Sequence, residues 1–164
     1  MTGIWSFYLT KGSPLTLEEL ATIKLGEQIG REYRKVVYKN IIPTASRQQI
    51  AKALAGSITL AAEIKVNFQE LGTGTNAPAN GDTGLQTPTG STRKALSSAG
   101  FSANQLNLTS FWAVGEATGT WREFGSFIDG TSTSNSGVLF NRVGINITVT
   151  GADALTIDGT ITIT

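Results

Sequence analysis

The chain has 164 residues, of which 40% are hydrophobic and 15% charged, with a formal net charge of +1. That balance fits one folded domain with a core of its own and excludes a disordered polyampholyte. With no Cys and no His, disulfides and thiolate chemistry are excluded, and the commonest general base and metal ligand are missing. No apolar run reaches the ~20 residues of a membrane helix, and the opening residues lack the basic-then-apolar pattern of a secretory signal, so no membrane insertion is expected.

Charge is unevenly spread. Residues 1–60 hold eight Lys or Arg against four Glu, and residues 61–164 hold five against eight Asp or Glu. The two halves have opposite sign, a pattern that could favour head-to-tail contacts between copies, although a solvated basic stretch is the preferred reading.

The first ten residues are rich in apolar and aromatic groups: Ile4, Trp5, Phe7, Tyr8 and Leu9. Two readings are open, an interface arm anchored by Trp5, Phe7 and Tyr8, or an extra strand folded back on the domain. After the turn at residues 11–14, Thr16 stands three residues before Glu19, the spacing of a capping box, and predicts a short helix with Leu17, Leu20 and Ala21 inward. Gly26 and Gly30 are its candidate stops. Residues 32–42 have strand composition up to Pro43, although Leu17, Ala21, Leu25, Ile29 and Tyr33 also recur every four residues, as a continued helix requires. Helix followed by strand is the preferred reading. A second helix is expected near residues 46–55, capped by Thr44 or Ser46, with Ile50, Ala51 and Leu54 as its stripe and Gly56 as its stop.

Beyond it the pattern alternates. Ala62, Ile64, Val66 and Phe68 face one way, and Glu63, Lys65, Asn67 and Gln69 the other. Residues 72–91 read as a long loop of Gly, Thr, Asn and Pro, a length that is unusual unless the loop is functional. Further strands follow at 106–114, 120–128, 138–149 and 155–163, the last alternating Leu155, Ile157, Ile161 and Ile163 with Thr and Asp. Short strands joined by turns predict a mainly β fold, an antiparallel β-sandwich of about six or seven strands with one or two short N-terminal helices. Residues 1–30 are expected as an arm with a short helix, and residues 31–164 as the sandwich domain.

The search for chemistry is thin. Gly72-Thr73-Gly74-Thr75 faintly resembles a phosphate cradle, but no Lys-Ser/Thr pair follows and Pro78 interrupts it. Asp82 and Asp129 sit among Gly, Ser and Asn as calcium ligands do, but also as turn residues do. Glu116 and Glu123 are the carboxylate pair a glycosidase needs, with Trp112 and Trp121 as candidate sugar platforms. The pair lacks supporting groups, so no catalytic residue, metal or cofactor is assigned, and no enzymatic activity is expected. Asn107-Leu108-Thr109 and Asn146-Ile147-Thr148 match the glycosylation pattern but fall within predicted strands. Arg31, Arg34, Lys35 and Lys39 beside Tyr33 and Tyr38 make a weak nucleic-acid signal against a pI near 8.0, and no nucleic-acid partner is expected.

Four stretches carry a resemblance. They are residues 40–45 with the helix after them, residues 71–85 (Leu-Gly-Thr-Gly-Thr-Asn-Ala-Pro-Ala-Asn-Gly-Asp-Thr-Gly-Leu), residues 115–125 (Gly-Glu-Ala-Thr-Gly-Thr-Trp-Arg-Glu-Phe-Gly), and residues 137–143 with the Thr-alternating last strand. In this order they resemble small structural proteins of tailed-bacteriophage and prophage virions, described as tail-fibre or minor structural proteins. The likeness runs from about residue 31 to the end. Family members carry a Glu and Arg after the loop, where this chain has only Arg93-Lys94. The resemblance implies a non-enzymatic virion component in several copies: a tail-fibre, tail-tip or collar piece, or alternatively a capsid decoration protein. Its implied partners are other virion proteins and further copies of itself. A carbohydrate-binding module using Trp112 and Trp121 on a host-surface glycan is the competing reading. The interface residues expected are Trp5, Phe7 and Tyr8 in the first segment, with Thr73, Asn76, Pro78 and Asp82 in the loop.

Overall fold

The computed structural model describes residues 2–58 and 64–163. Among them the chain forms an antiparallel β-sandwich. Strands β1 (Thr2–Lys11), β2 (Tyr33–Lys39), β5 (Ser98–Ser102), β6 (Gln105–Trp112) and β9 (Asp153–Thr162) make one sheet in the order β2-β1-β9-β6-β5. Strands β3 (Val66–Gly72), β4 (Lys94–Ala95), β7 (Gly119–Ile128) and β8 (Val138–Val149) make the other in the order β4-β3-β7-β8. Helices α1 (Leu17–Lys24) and α2 (Thr44–Leu54) are additions to this frame.

Residues 2–11 belong to the frame. β1 pairs with β2 on one side and β9 on the other, from Thr2↔Thr162 to Lys11↔Asp153. Trp5 and Phe7 are fully buried, and both rings meet Phe124 of the opposite sheet edge to face, at 4.9 and 5.3 Å between centroids. Such contacts add to the area these rings bury. The expected arm is therefore corrected to the fold-back strand. Trp5 and Phe7 are core residues and Tyr8 is buried under α1, so none of the three presents an interface, and no domain boundary falls at residue 30.

Helix α1 starts where its capping box predicts. Thr16 Oγ1 accepts from the Glu19 amide, and the Glu19 carboxylate accepts from the Thr16 amide. Its inward line differs from expectation: Leu15, Leu20 and Ile23 pack with Tyr8 on the outer face of the first sheet, while Leu17 and Ala21 point outward. The polar face of β9 lies beneath this cover. Thr156 accepts from the Leu15 amide at 2.9 Å, and Asp158 pairs with Lys24 at 3.0 Å. The strand that alternates most regularly in the sequence is thus buried on both faces. Helix α2 has Pro43 at its N-cap, with no side-chain cap. Ser46 instead sits buried and donates to the Pro43 and Phe140 carbonyls, and Leu54 is exposed rather than part of an inward stripe.

Nine strands form among the described residues, against the six or seven expected. β4 and β5 are one segment that crosses between sheets: the Leu96 amide bonds Asn67 of the second sheet, and the Ser97 amide bonds Thr109 of the first. A register shift between Val66 and Phe68 also inverts the expected alternation of β3. A bulge moves every later side chain to the opposite face. Gln69 therefore points into the core beside Leu71, in a cross-strand row with Ser126 and Asn141, all three without a side-chain partner among the described residues. Ala62 and Glu63 lie outside the described residues.

Candidate functional site

Residues 73–89 run over the outer face of the second sheet, as the expected long loop. A loop lacks its own ladder of hydrogen bonds, so its backbone groups need other partners. Here a buried carboxylate supplies them. Glu123, on β7, accepts from the amides of Gly74 at 3.1 Å, Gln86 at 2.9 Å and Thr87 at 2.6 Å. Arg142, the neighbouring outward residue of β8, donates its Nε to the same carboxylate at 2.9 Å, Nη1 to Asp82 at 2.8 Å and Nη2 to the Asn76 carbonyl at 3.1 Å. Both side chains are almost completely buried, at 1% and 3% exposure. One charge pair thus ties together both limbs and the tip of the loop.

The Gly72-Thr73-Gly74 motif follows from this. A Cβ on Gly72 would come within 2.7 Å of the Glu123 carboxylate, and one on Gly74 would overlap it. The faint phosphate-cradle pattern is an anion cradle whose anion belongs to the protein. Glycine there lets the backbone approach the charge closely.

A second clamp stands beside the first. Glu70 pairs with Arg93 at 2.9 Å and accepts from the Asn135 amide at 3.0 Å. Arg93 also donates to the Thr131 and Ser136 carbonyls and lies over the Phe127 ring at 4.2 Å. Burial pulls its guanidinium pKa below the ordinary value, against the opposing effect of Glu70. The Asn135 side chain closes on the backbone of Leu85, which packs on Phe127 and Leu139.

The exposed surface that results is rigidly held and uncharged. Asp82 is the only charged residue between Glu70 and Arg93, and Arg142 takes it up. Of the expected loop residues, Thr73 and Asn76 are exposed, whereas Pro78 and Asp82 are half-buried, with Asp82 also accepting from the Ala79 amide at 2.8 Å in a turn. Asp82 is thus a clamp as much as a surface group. An open depression of about 640 Å³ is lined by Asn76, Asp82, Gln86, Asn135 and Arg142. Sequence reading missed Glu123, Arg142, Glu70, Arg93 and Asn135 as the groups that shape the loop. The signal for Glu70, Glu123 and Arg142 was charge embedded in strands, and none marked Arg93 or Asn135.

The other candidates do not converge. Trp112 and Trp121 are buried, and their indole N–H groups donate to the Thr92 and Ala117 carbonyls. They offer no sugar platform, which corrects the carbohydrate reading. Glu116 is exposed, bonds Lys94 at 2.6 Å and caps the Ala113 amide; Lys94 chiefly holds its carboxyl below the usual range. It shares no network with Glu123. Asp129 sits at a positive φ of 50° in a tight turn, as Asp tolerates. Among the described residues no three His, Cys, Asp or Glu side chains gather as metal ligands, and no helix is long and apolar enough to cross a membrane.

A larger hollow, about 1120 Å³ and open, lies at one end of the sandwich near Lys11, Arg31, Arg34 and Asp153. Three of its cations have partners within the chain. Lys11 pairs with Asp153, Arg31 forks onto Glu19, and Arg34 donates to the Thr148 carbonyl. Of the basic cluster noted in the sequence, Arg31 and Arg34 make these contacts, whereas Lys35 and Lys39 are exposed on β2. No family model, no curated protein and no solved structure matches this chain.

Proposed function

We propose that this protein is a non-enzymatic structural component of a tailed-phage particle, placed in the tail, that works by binding other particle proteins through its 73–89 loop. The observation that supports a binding role is the clamped loop: an exposed, uncharged surface fixed from beneath by Glu123 and Arg142. A surface already ordered before contact loses little conformational entropy on binding. The assignment to a phage particle rests on the ordered resemblance of residues 31–164 to small virion proteins.

The test is to locate the chain in purified particles made by the genome that encodes it, by labelling and imaging. Tail labelling at fixed stoichiometry is expected, and Asn80→Lys, at an exposed loop position, is expected to reduce incorporation at least tenfold while leaving the fold intact. Head labelling would replace the tail assignment with capsid decoration. Absence from the particle would overturn the reading.

A further inference from the structure

A sheet ends in rows of unpaired N–H and C=O groups, and proteins blunt such edges to avoid unwanted pairing. Three of the four edges here are blunted. β2 carries Arg34, Lys35 and Lys39. β8 is closed against β2 and the chain after it, through the Tyr38 hydroxyl on the Asn146 backbone and the Ile41–Arg142 bridge. β4 is two residues long and includes Lys94. The fourth edge, β5, has none of these devices.

β5 pairs only with β6 among the described residues, and no charged residue occurs between Lys94 and Glu116. Four of its five residues are exposed, and Phe101 is 86% exposed, the largest apolar side chain left in solvent among the described residues. Its sequence, Ser98-Ala99-Gly100-Phe101-Ser102, is close to a palindrome about Gly100. Pairing a strand with itself across a two-fold axis sets each residue opposite its mirror position. Ser98 then meets the partner's Ser102, Gly100 meets the partner's Gly100, and the large Phe101 ring lies over the partner's small Ala99. The two Phe101 rings become diagonal neighbours, within the reach of aromatic side chains. A charged strand would oppose like charges in this arrangement; a neutral one does not.

We propose that β5 is a self-association surface, through which two copies pair antiparallel about Gly100 and join their five-stranded sheets into one continuous sheet. The pairing stands on this edge alone, whatever the 73–89 loop binds.

The absence of Cys makes the register directly testable. A Cβ at Gly100 meets nothing within 4 Å, and its φ is not positive, so Gly100→Cys is tolerated. Opposed residues in antiparallel strands have Cα atoms about 4.5–5.5 Å apart, the reach of a disulfide. Under mild oxidation Gly100→Cys is expected to give a covalent dimer, and Ser102→Cys, two positions from the axis, is not. In sedimentation the parent protein is expected at twice the chain mass at about 100 µM. Phe101→Lys is expected to weaken dimerisation at least tenfold, with an unchanged circular dichroism spectrum. A parent protein monomeric at that concentration, a dimer indifferent to Phe101→Lys, or cross-linking at residue 102 in place of 100 would overturn the proposal. None of these results changes whether the chain is found in particles, so the two readings fail separately.

Discussion

The two sheets solve the same problem in opposite ways. Each has an outer face that must be covered. On the five-stranded sheet the cover is α1, a helix that satisfies its own backbone and is held down mainly by apolar residues, Leu15, Leu20 and Ile23, with the Lys24–Asp158 pair beside them. On the four-stranded sheet it is a loop with few backbone bonds of its own, such as Thr73 to Thr87 and Asp82 to Ala79, and the attachment is ionic: Glu123 with Arg142, and Glu70 with Arg93. Apolar contact is tolerant of small shifts. A carboxylate that accepts three amides and a guanidinium fixes one geometry. Covers built from irregular chain therefore cost buried charge, and they return a surface of defined shape.

The largest expected effect tests the ionic side. Glu123→Ala leaves the Arg142 Nε and the Gly74, Gln86 and Thr87 amides without their acceptor. Breaking a buried pair by removing one partner costs about 3–5 kcal/mol, to be read from denaturant midpoints. Amide exchange at those three residues should accelerate towards solvent rates; unchanged protection there would mean the loop holds itself. Next comes Leu20→Ala on the apolar side, expected to cost about 2–4 kcal/mol with the loop amides still protected. Loss of protection in both places would merge the two covers into one cooperative unit.

Thr16→Ala is smaller, about 1 kcal/mol for a lost cap, and its exchange signature should stay within the first turn of α1. The smallest effect concerns pH. Lys11, chiefly, holds the Asp153 carboxyl down to about 2 from 3.8. A depressed carboxyl stabilises the fold fully above its unfolded pKa and loses that contribution as pH falls through the folded one, here between about 4 and 2. Lys11→Met should raise the pKa seen by NMR titration towards the ordinary carboxylate value.

The same contrast separates what the sequence made legible from what it hid. α1 is written locally, in the Thr16–Glu19 spacing and the stop at Gly26. The sandwich is legible because Val143, Ile145, Ile147 and Val149 keep period two without interruption, and all four are buried. Alternation says which residues share a face, but not whether something lies on that face, so the burial of Thr156 and Asp158 under α1 was invisible. It also fails at bulges: the shift before Phe68 sends Gln69 inward, and another between Trp121 and Glu123 turns Glu123 to the loop side while Trp121 and Phe124 both stay in the core. The Glu123–Arg142 pairing depends on that shift, and no local spacing announces it. β5 was missed for want of β-branched residues, since Ser-Ala-Gly reads as loop.

The position of β1 has a consequence for how the molecule forms. Its hydrogen-bonded neighbour β9 lies about 150 residues away along the chain, with Leu9 opposite Leu155 and Phe7 opposite Ile157. Pairings of such long sequence separation are slow, because loop closure must be met before contacts compensate it. During synthesis, Trp5 and Phe7 emerge about 150 residues before the strand that flanks them on the second side. Folding is therefore expected in milliseconds to seconds, as for other sandwiches, with the completed core arriving only when residues 153–162 insert between β1 and β6.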